Sequence, residues 1–111
     1  MAAVDPRSAP RPPGARPRGG GGTYTAFQQA VIAVVRGLAP GEVMTYSEVA
    51  DEAGHPGAGQ AVANVLRTID GLPWWRVVPT SGRLYGSHTP IQAPLLRADG
   101  VIVDDERYVR P

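Results

Sequence analysis

The side chains able to do chemistry gather in two stretches, Pro73-Trp74-Trp75-Arg76-Val77-Val78 and Leu95-Leu96-Arg97-Ala98-Asp99-Gly100. Adjacent tryptophans offer two flat aromatic faces and two N–H donors. Neither indole is a useful nucleophile or base near neutral pH. What an exposed indole does well is stack, and one stacked nucleobase is worth ~1–3 kcal/mol. The chain has no cysteine, which excludes disulfides, thiolate metal ligands and cysteine nucleophiles. His55 and His88 are too few and too far apart in sequence to suggest a metal site. No metal or cofactor is expected.

Eleven basic residues, all arginine, face ten acids. They are unevenly placed. Residues 1–22 carry Arg7, Arg11, Arg16 and Arg18 against Asp5, whereas the remainder carries seven arginines against nine acids. A net-acidic core argues weakly against DNA binding, but a local arginine cluster still binds phosphates. The first 22 residues are dense in Pro, Gly and Arg and lack large apolar side chains. Such a composition predicts a disordered tail. The domain is then 23–111, small but viable. No apolar run reaches the ~20 residues of a membrane span, and the N-terminus lacks an apolar signal core. The expectation is a soluble, cytoplasmic monomer.

The elements that must position the two stretches are mostly helical. Phe27, Ala30, Val31, Val34, Val35 and Leu38 repeat at helical spacing and predict a helix over 25–38. Thr45-Tyr46-Ser47-Glu48 fits a capping box, so a short helix should span 47–53 and stop at Gly54. Pro56 suits a helix start, with Ala58, Val62, Val65, Leu66 and Ile69 on the buried side and Asp70-Gly71 as the end. Two short helices around a glycine turn match a helix-turn-helix, but an ordinary helical hairpin, the commoner arrangement, gives the same pattern. Arg76-Val77-Val78 reads as extended, Leu84-Tyr85-Gly86 as a second short strand, 94–100 as one or two helical turns, Val101-Ile102-Val103 as extended, and 104–108 as a polar ending. The fold class is mainly α with a short β element.

The ordered series Pro40-Gly41, Thr45-Tyr46, Gly54-His55-Pro56, Pro73-Trp74-Trp75-Arg76-Val77-Val78, Ser81-Gly82 and Leu95-Leu96-Arg97-Ala98-Asp99-Gly100 resembles the DNA-binding domain of the O6-alkylguanine-DNA alkyltransferases. The resemblance covers roughly Phe27 to Gly100. It is closest to the alkyltransferase-like branch, in which tryptophan replaces the reactive cysteine; Trp74 is that change. The fold implied is a winged-helix-like helix-turn-helix domain of the alkyltransferase C-terminal type. In the enzymes a histidine, relayed through water to a glutamate, activates the thiol. Here Trp74 stands for the cysteine, Trp75 for the histidine and Asp99 for the glutamate. Alkyl transfer by that route is therefore impossible, and the protein is not expected to be an enzyme.

The resemblance also assigns roles. Trp74 lines the pocket for a flipped base; its alternative is a core tryptophan. Trp75 is expected to pack, its N–H needing a partner. Tyr46 presses on the target nucleotide, or else staples a helix start. Gln60 takes the place of the family's stack-filling arginine. Arg67 is a phosphate contact or a solvated helix arginine. Arg76 belongs to the DNA-contacting set or braces the loop. Val77 offers a backbone carbonyl to the guanine amino group. Gly82, Tyr85, Gly86, Ser87 and His88 form the loop closing over the base, with Ser87 and His88 in the pocket. The tail arginines add non-specific affinity or do nothing.

The function so implied is a non-catalytic sensor. It binds double-stranded DNA carrying O6-alkylguanine, flips the base, and passes the lesion to nucleotide excision repair proteins. The alternative is a general DNA-binding or regulatory module that kept the fold but lost lesion recognition; Gln60 and Trp75 favour it. A base glycosylase would need an activated water, for which Asp70 and Asp99 are the nearby acids.

Overall fold

The computed structural model describes residues 5–14 and 24–109. Four helices carry the architecture: α1 Ala26–Arg36, α2 Tyr46–Glu52, α3 Gly59–Thr68 and α4 Thr89–Ala98. Two start on reciprocal capping boxes. Thr25 Oγ1 accepts from Gln28 N at 3.1 Å while Thr25 N donates to Gln28 Oε1 at 2.9 Å. The Thr45–Glu48 pair repeats this at 3.1 and 2.8 Å. Each box satisfies two of the amides that a helix start leaves open. Gly54, at φ +84°, ends α2 as its position suggests.

The third helix begins later than Pro56. His55-Pro56-Gly57-Ala58 closes as a turn, with Ala58 N donating to His55 O at 3.1 Å and Gly57 at φ +85°. Proline followed by a left-handed glycine is the signature of a type II turn, and it outcompetes a helical first turn. α4 is longer than the sequence suggests: Pro90 lies in its first turn and Pro94 sits inside it, exposed. Only one backbone amide is lost at Pro94, and the helix carries on through it.

Two small sheets pin the loops. β1 Met44–Thr45 pairs in parallel with β2 Val77–Val78, in register Met44 with Val77 and Thr45 with Val78. β3 Val103–Asp104 pairs antiparallel with β4 Arg107–Tyr108, so the expected polar ending is a hairpin. Its two-residue turn takes Asp105 to φ 58°, a conformation that aspartate tolerates. Residues 84–86 form no strand; Leu84 N instead donates to Glu106 O, and Tyr108 N to Gly82 O. The core gathers Val31, Val35, Val49, Val62, Leu66, Trp75, Val77 and Leu96, all nearly or fully buried. Each large member stabilises the fold by ~1.5–3 kcal/mol.

Part of the segment whose composition reads as disordered lies against this core. Ser8 N and Ala9 N both donate to Asp5 O at 3.0 Å, closing a turn. Pro10 O then accepts from Trp74 Nε1 at 2.9 Å, and Arg11 pairs with Asp70 at 2.6 Å. Composition hides this because the prolines restrict the unfolded chain and lower the entropy lost on ordering, while a buried indole N–H demands an acceptor. The rest of the expected tail, 1–4 and 15–22, lies outside the described residues.

Candidate nucleic-acid interface

Trp74, Trp75 and Arg76 form a short 3-10 turn between α3 and β2. It exists because Arg76 N reaches back to Pro73 O at 3.1 Å, and because both indoles and the guanidinium point inward. Trp75 is fully buried, and its Nε1 donates to Asp99 Oδ2 at 2.9 Å. Arg76 donates to the same carboxylate through Nε at 2.7 Å and Nη2 at 3.0 Å, and to Leu38 O through Nη1 at 3.0 Å. Its guanidinium also sits 5.0 Å from the Trp75 ring centre. The Arg76 and Asp99 side chains are 4% and 0% exposed.

That geometry corrects the placement of Arg76 among the DNA contacts. It is an interior residue and braces the loop, because its side chain is buried and all three of its nitrogens donate to Asp99 or a backbone carbonyl. The same set decides what Asp99 can do. Both oxygens accept N–H donors, with three hydrogen bonds in all, on a side chain with no exposure to solvent, so the group is committed to holding the loop. Asp70, the other acid a glycosylase could use, is tied to Arg11. Where the alkyltransferases hold a proton relay, this chain holds a structural lock.

Beyond the lock lies a run of aromatic contacts. Trp74 and His88 meet edge to face at 5.8 Å, His88 and Tyr85 at 5.3 Å, and Tyr85 stacks on Tyr46 at 6.1 Å with 27° between planes. Offset and edge-to-face pairs of this kind each contribute ~0.5–1.5 kcal/mol beyond their buried area. Trp74 is 4% exposed and Tyr85 48%. Trp74 is thus inside, and a base can stack on it only after something moves. Tyr46 is brought here by the β1–β2 pair and by the helix start at Thr45. Burial, reinforced by Tyr85 and opposed by Arg67, pushes its hydroxyl up to about 12, so it remains a neutral donor. Burial, with Arg67 nearby, pulls His88 below its ordinary value, so its ring is neutral near pH 7. Its Nδ1 has no partner among the described residues.

The Val77 carbonyl, expected to meet the guanine amino group, already accepts from Gln92 Nε2 at 3.0 Å; the same nitrogen donates to Trp75 O at 3.1 Å. One lone pair of the carbonyl is therefore taken. Gln92 is 1% exposed and its Oε1 lacks a partner among the described residues. Sequence reasoning missed it. The signal was a polar residue on an apolar helix face, hidden because that helix was expected to begin at Pro94. Ser87 is exposed on the turn before α4. On α3, Gln60 and Asn64 are exposed and Arg67 half-buried. Their spacing puts them on one face, with Arg67 Nη2 donating to Asn64 Oδ1. Asn64 was also not foreseen. Gln60 and Arg67 thus share a stripe, and Trp74, Tyr46 and His88 share a wall with Tyr85.

A helix pair with an exposed polar stripe on its second member, backed by a buried loop and a short hairpin, defines a DNA-binding module of the alkyltransferase type. The family described as 6-O-methylguanine DNA methyltransferase, DNA binding domain, matches residues 26–101, and the chain belongs to that family. It is 33% identical over 84 residues to a DNA base-flipping protein of Vibrio parahaemolyticus, spanning 71% of this chain and 84% of the relative. It is 39% identical over 83 residues to a DNA base-flipping protein of Escherichia coli, of which it covers 64%. Its fold matches S. pombe Atl1 in complex with damaged DNA containing O6-carboxymethylguanine, with a TM-score of 0.67 at 23% identity over 75% of this chain and 83% of that one.

Proposed function

We propose that this chain is a non-catalytic sensor of O6-alkylguanine in duplex DNA. The carrying observation is the pairing of a lock at Asp99 with an aromatic wall of Tyr46, Tyr85, His88 and Trp74. The helix-turn-helix docks on the duplex with Gln60, Asn64 and Arg67 facing it, in the minor groove. Tyr46 helps turn the nucleotide out, and the neutral His88 offers a hydrogen bond to the extruded base. An alkylated guanine pairs badly and so costs less to flip, which favours its selection. Nothing is transferred, so the complex acts by being recognised, and nucleotide excision repair is the process it serves. The names of the relatives support base flipping, and the missing thiol supports the absence of transfer.

A second reading is a general DNA-binding module. The buried Trp74 and the occupied Val77 carbonyl favour it. Titration against otherwise identical duplexes carrying guanine or O6-methylguanine separates the two. The sensor binds the alkylated duplex more tightly, and mass spectrometry after long incubation finds protein and oligonucleotide unaltered. Equal affinities support the general module. A protein adduct or a freed base contradicts both.

A further inference from the structure

The contacts of residues 5–14 fall at two places that matter for base binding. One is the outer edge of Trp74, where Pro10 O accepts the indole N–H at 2.9 Å. The other is α3, where Gly14 lies against the Arg67 side chain and Arg11 pairs with Asp70 just past the helix end. Between the segment and the core is a cavity of about 220 Å³, with Pro6, Pro10 and Pro12 on one side and Ile69, Leu72 and Trp74 on the other. A partly open groove of this size between segment and core marks a cover laid over the core, not packed into it. The cover is held by few contacts, and its ion pair is half-exposed, at 53% and 51%.

We propose that residues 5–14 are a strap that closes the Trp74 side of the base pocket in the free protein and lifts when DNA docks, Arg11 exchanging Asp70 for backbone phosphate. This rests on the base-flipping reading above. Three observations fit together in it. Trp74 is buried in the free protein, and the polar group covering it is a single strap carbonyl. The anchor of the strap is a charge pair that phosphates disrupt, because a guanidinium binds phosphate at least as well as carboxylate. The strap also carries Arg7, exposed and ready for a second phosphate. Docking on the backbone and opening of the pocket thereby become one event. Unmodified DNA lifts the strap through the same phosphate contacts, but its bases stay stacked and gain nothing from the opened pocket.

The absence of cysteine in the chain makes a clean test. Arg11→Cys with Asp70→Cys in the full-length protein, bridged by a cleavable bismaleimide that spans roughly what the arginine side chain spanned, ties the strap down reversibly. Both forms are titrated against a duplex with one O6-methylguanine and against its guanine counterpart, with circular dichroism confirming that both are folded. The expected result is a preference for the alkylated duplex after cleavage, reduced by about tenfold while the tether is closed, since a pocket open one time in ten binds at a tenth of its intrinsic affinity. An equal preference in both forms overturns the strap and leaves the sensor reading standing. No preference in either form overturns the sensor reading, and the strap falls with it.

Discussion

Asp99 and His88 sit at opposite ends of α4, and they are finished to different degrees. Around Asp99 every oxygen has its donor, and the three partners come from two neighbouring residues of one loop. Around His88 and Gln92, a buried nitrogen and a buried oxygen lack partners among the described residues. Leaving such a group unsatisfied costs ~1–3 kcal/mol. The first region is closed by its own partners, and the second keeps polar atoms without partners among the described residues. Asp99 is a cornerstone of the loop that carries the two tryptophans.

The comparison breaks most visibly at the cornerstone. Asp99→Ala leaves the Arg76 guanidinium buried without its counter-charge, and chemical denaturation should show a loss of ~3–5 kcal/mol, the scale for breaking a buried pair from one side. A loss below ~1 kcal/mol, the scale of exposed pairs, means that the pair is not interior in solution. At the wall the expectation is opposite in kind. Tyr85 is half-exposed, so Tyr85→Ala should leave melting nearly unchanged and weaken binding to an O6-methylguanine duplex by ~1–3 kcal/mol. A drop in stability with no drop in binding would make Tyr85 a packing residue.

The His88 end also responds to acid. His88 is held below its ordinary value in the folded protein, while the unfolded chain takes up its proton near pH ~6.5. The unfolded state therefore binds more protons as pH falls, so stability is full above ~6.5 and declines from there down toward the folded-state value. His88→Gln should flatten that limb of the pH–stability curve, and an unchanged limb assigns it to another group. A smaller effect is expected at the stripe. Gln60→Arg adds one phosphate-range charge to a face that now has little, and the log-log salt slope of duplex binding should steepen by about one. A slope that does not move places Gln60 away from the backbone.

In the sequence α1 was legible from its apolar spacing, while the starts of α3 and α4 were misplaced. The start of α2 was legible because its capping box is local, Thr45 carrying Glu48 three residues on. The alkyltransferase order of landmarks was legible for the same reason, motif by motif. What was hidden depended on distant partners. Arg76 reads as a DNA contact until Asp99 and the Leu38 carbonyl are brought to it across the fold. Gln92 is one glutamine among four until Trp75 O and Val77 O converge on it. The turn at Pro56-Gly57 was misread because proline suits both a helix start and a turn, and only the left-handed glycine decides. The contacts of residues 5–14 were hidden because composition carries no information about an indole sixty-odd positions away that needs an acceptor.

The C-terminal hairpin is fastened to the loop that carries Tyr85 and His88 by two amides, Leu84 N to Glu106 O and Tyr108 N to Gly82 O. In hydrogen-exchange language this makes loop and hairpin one unit of opening. Neither amide can reach solvent deuterium by a private fluctuation, since releasing either one peels the same short ladder. Leu84 and Tyr108 should exchange at matched rates in the free protein, and both should slow together when an alkylated duplex fills the wall. The last few residues of the chain, far from any base in sequence, would then report occupancy of the pocket.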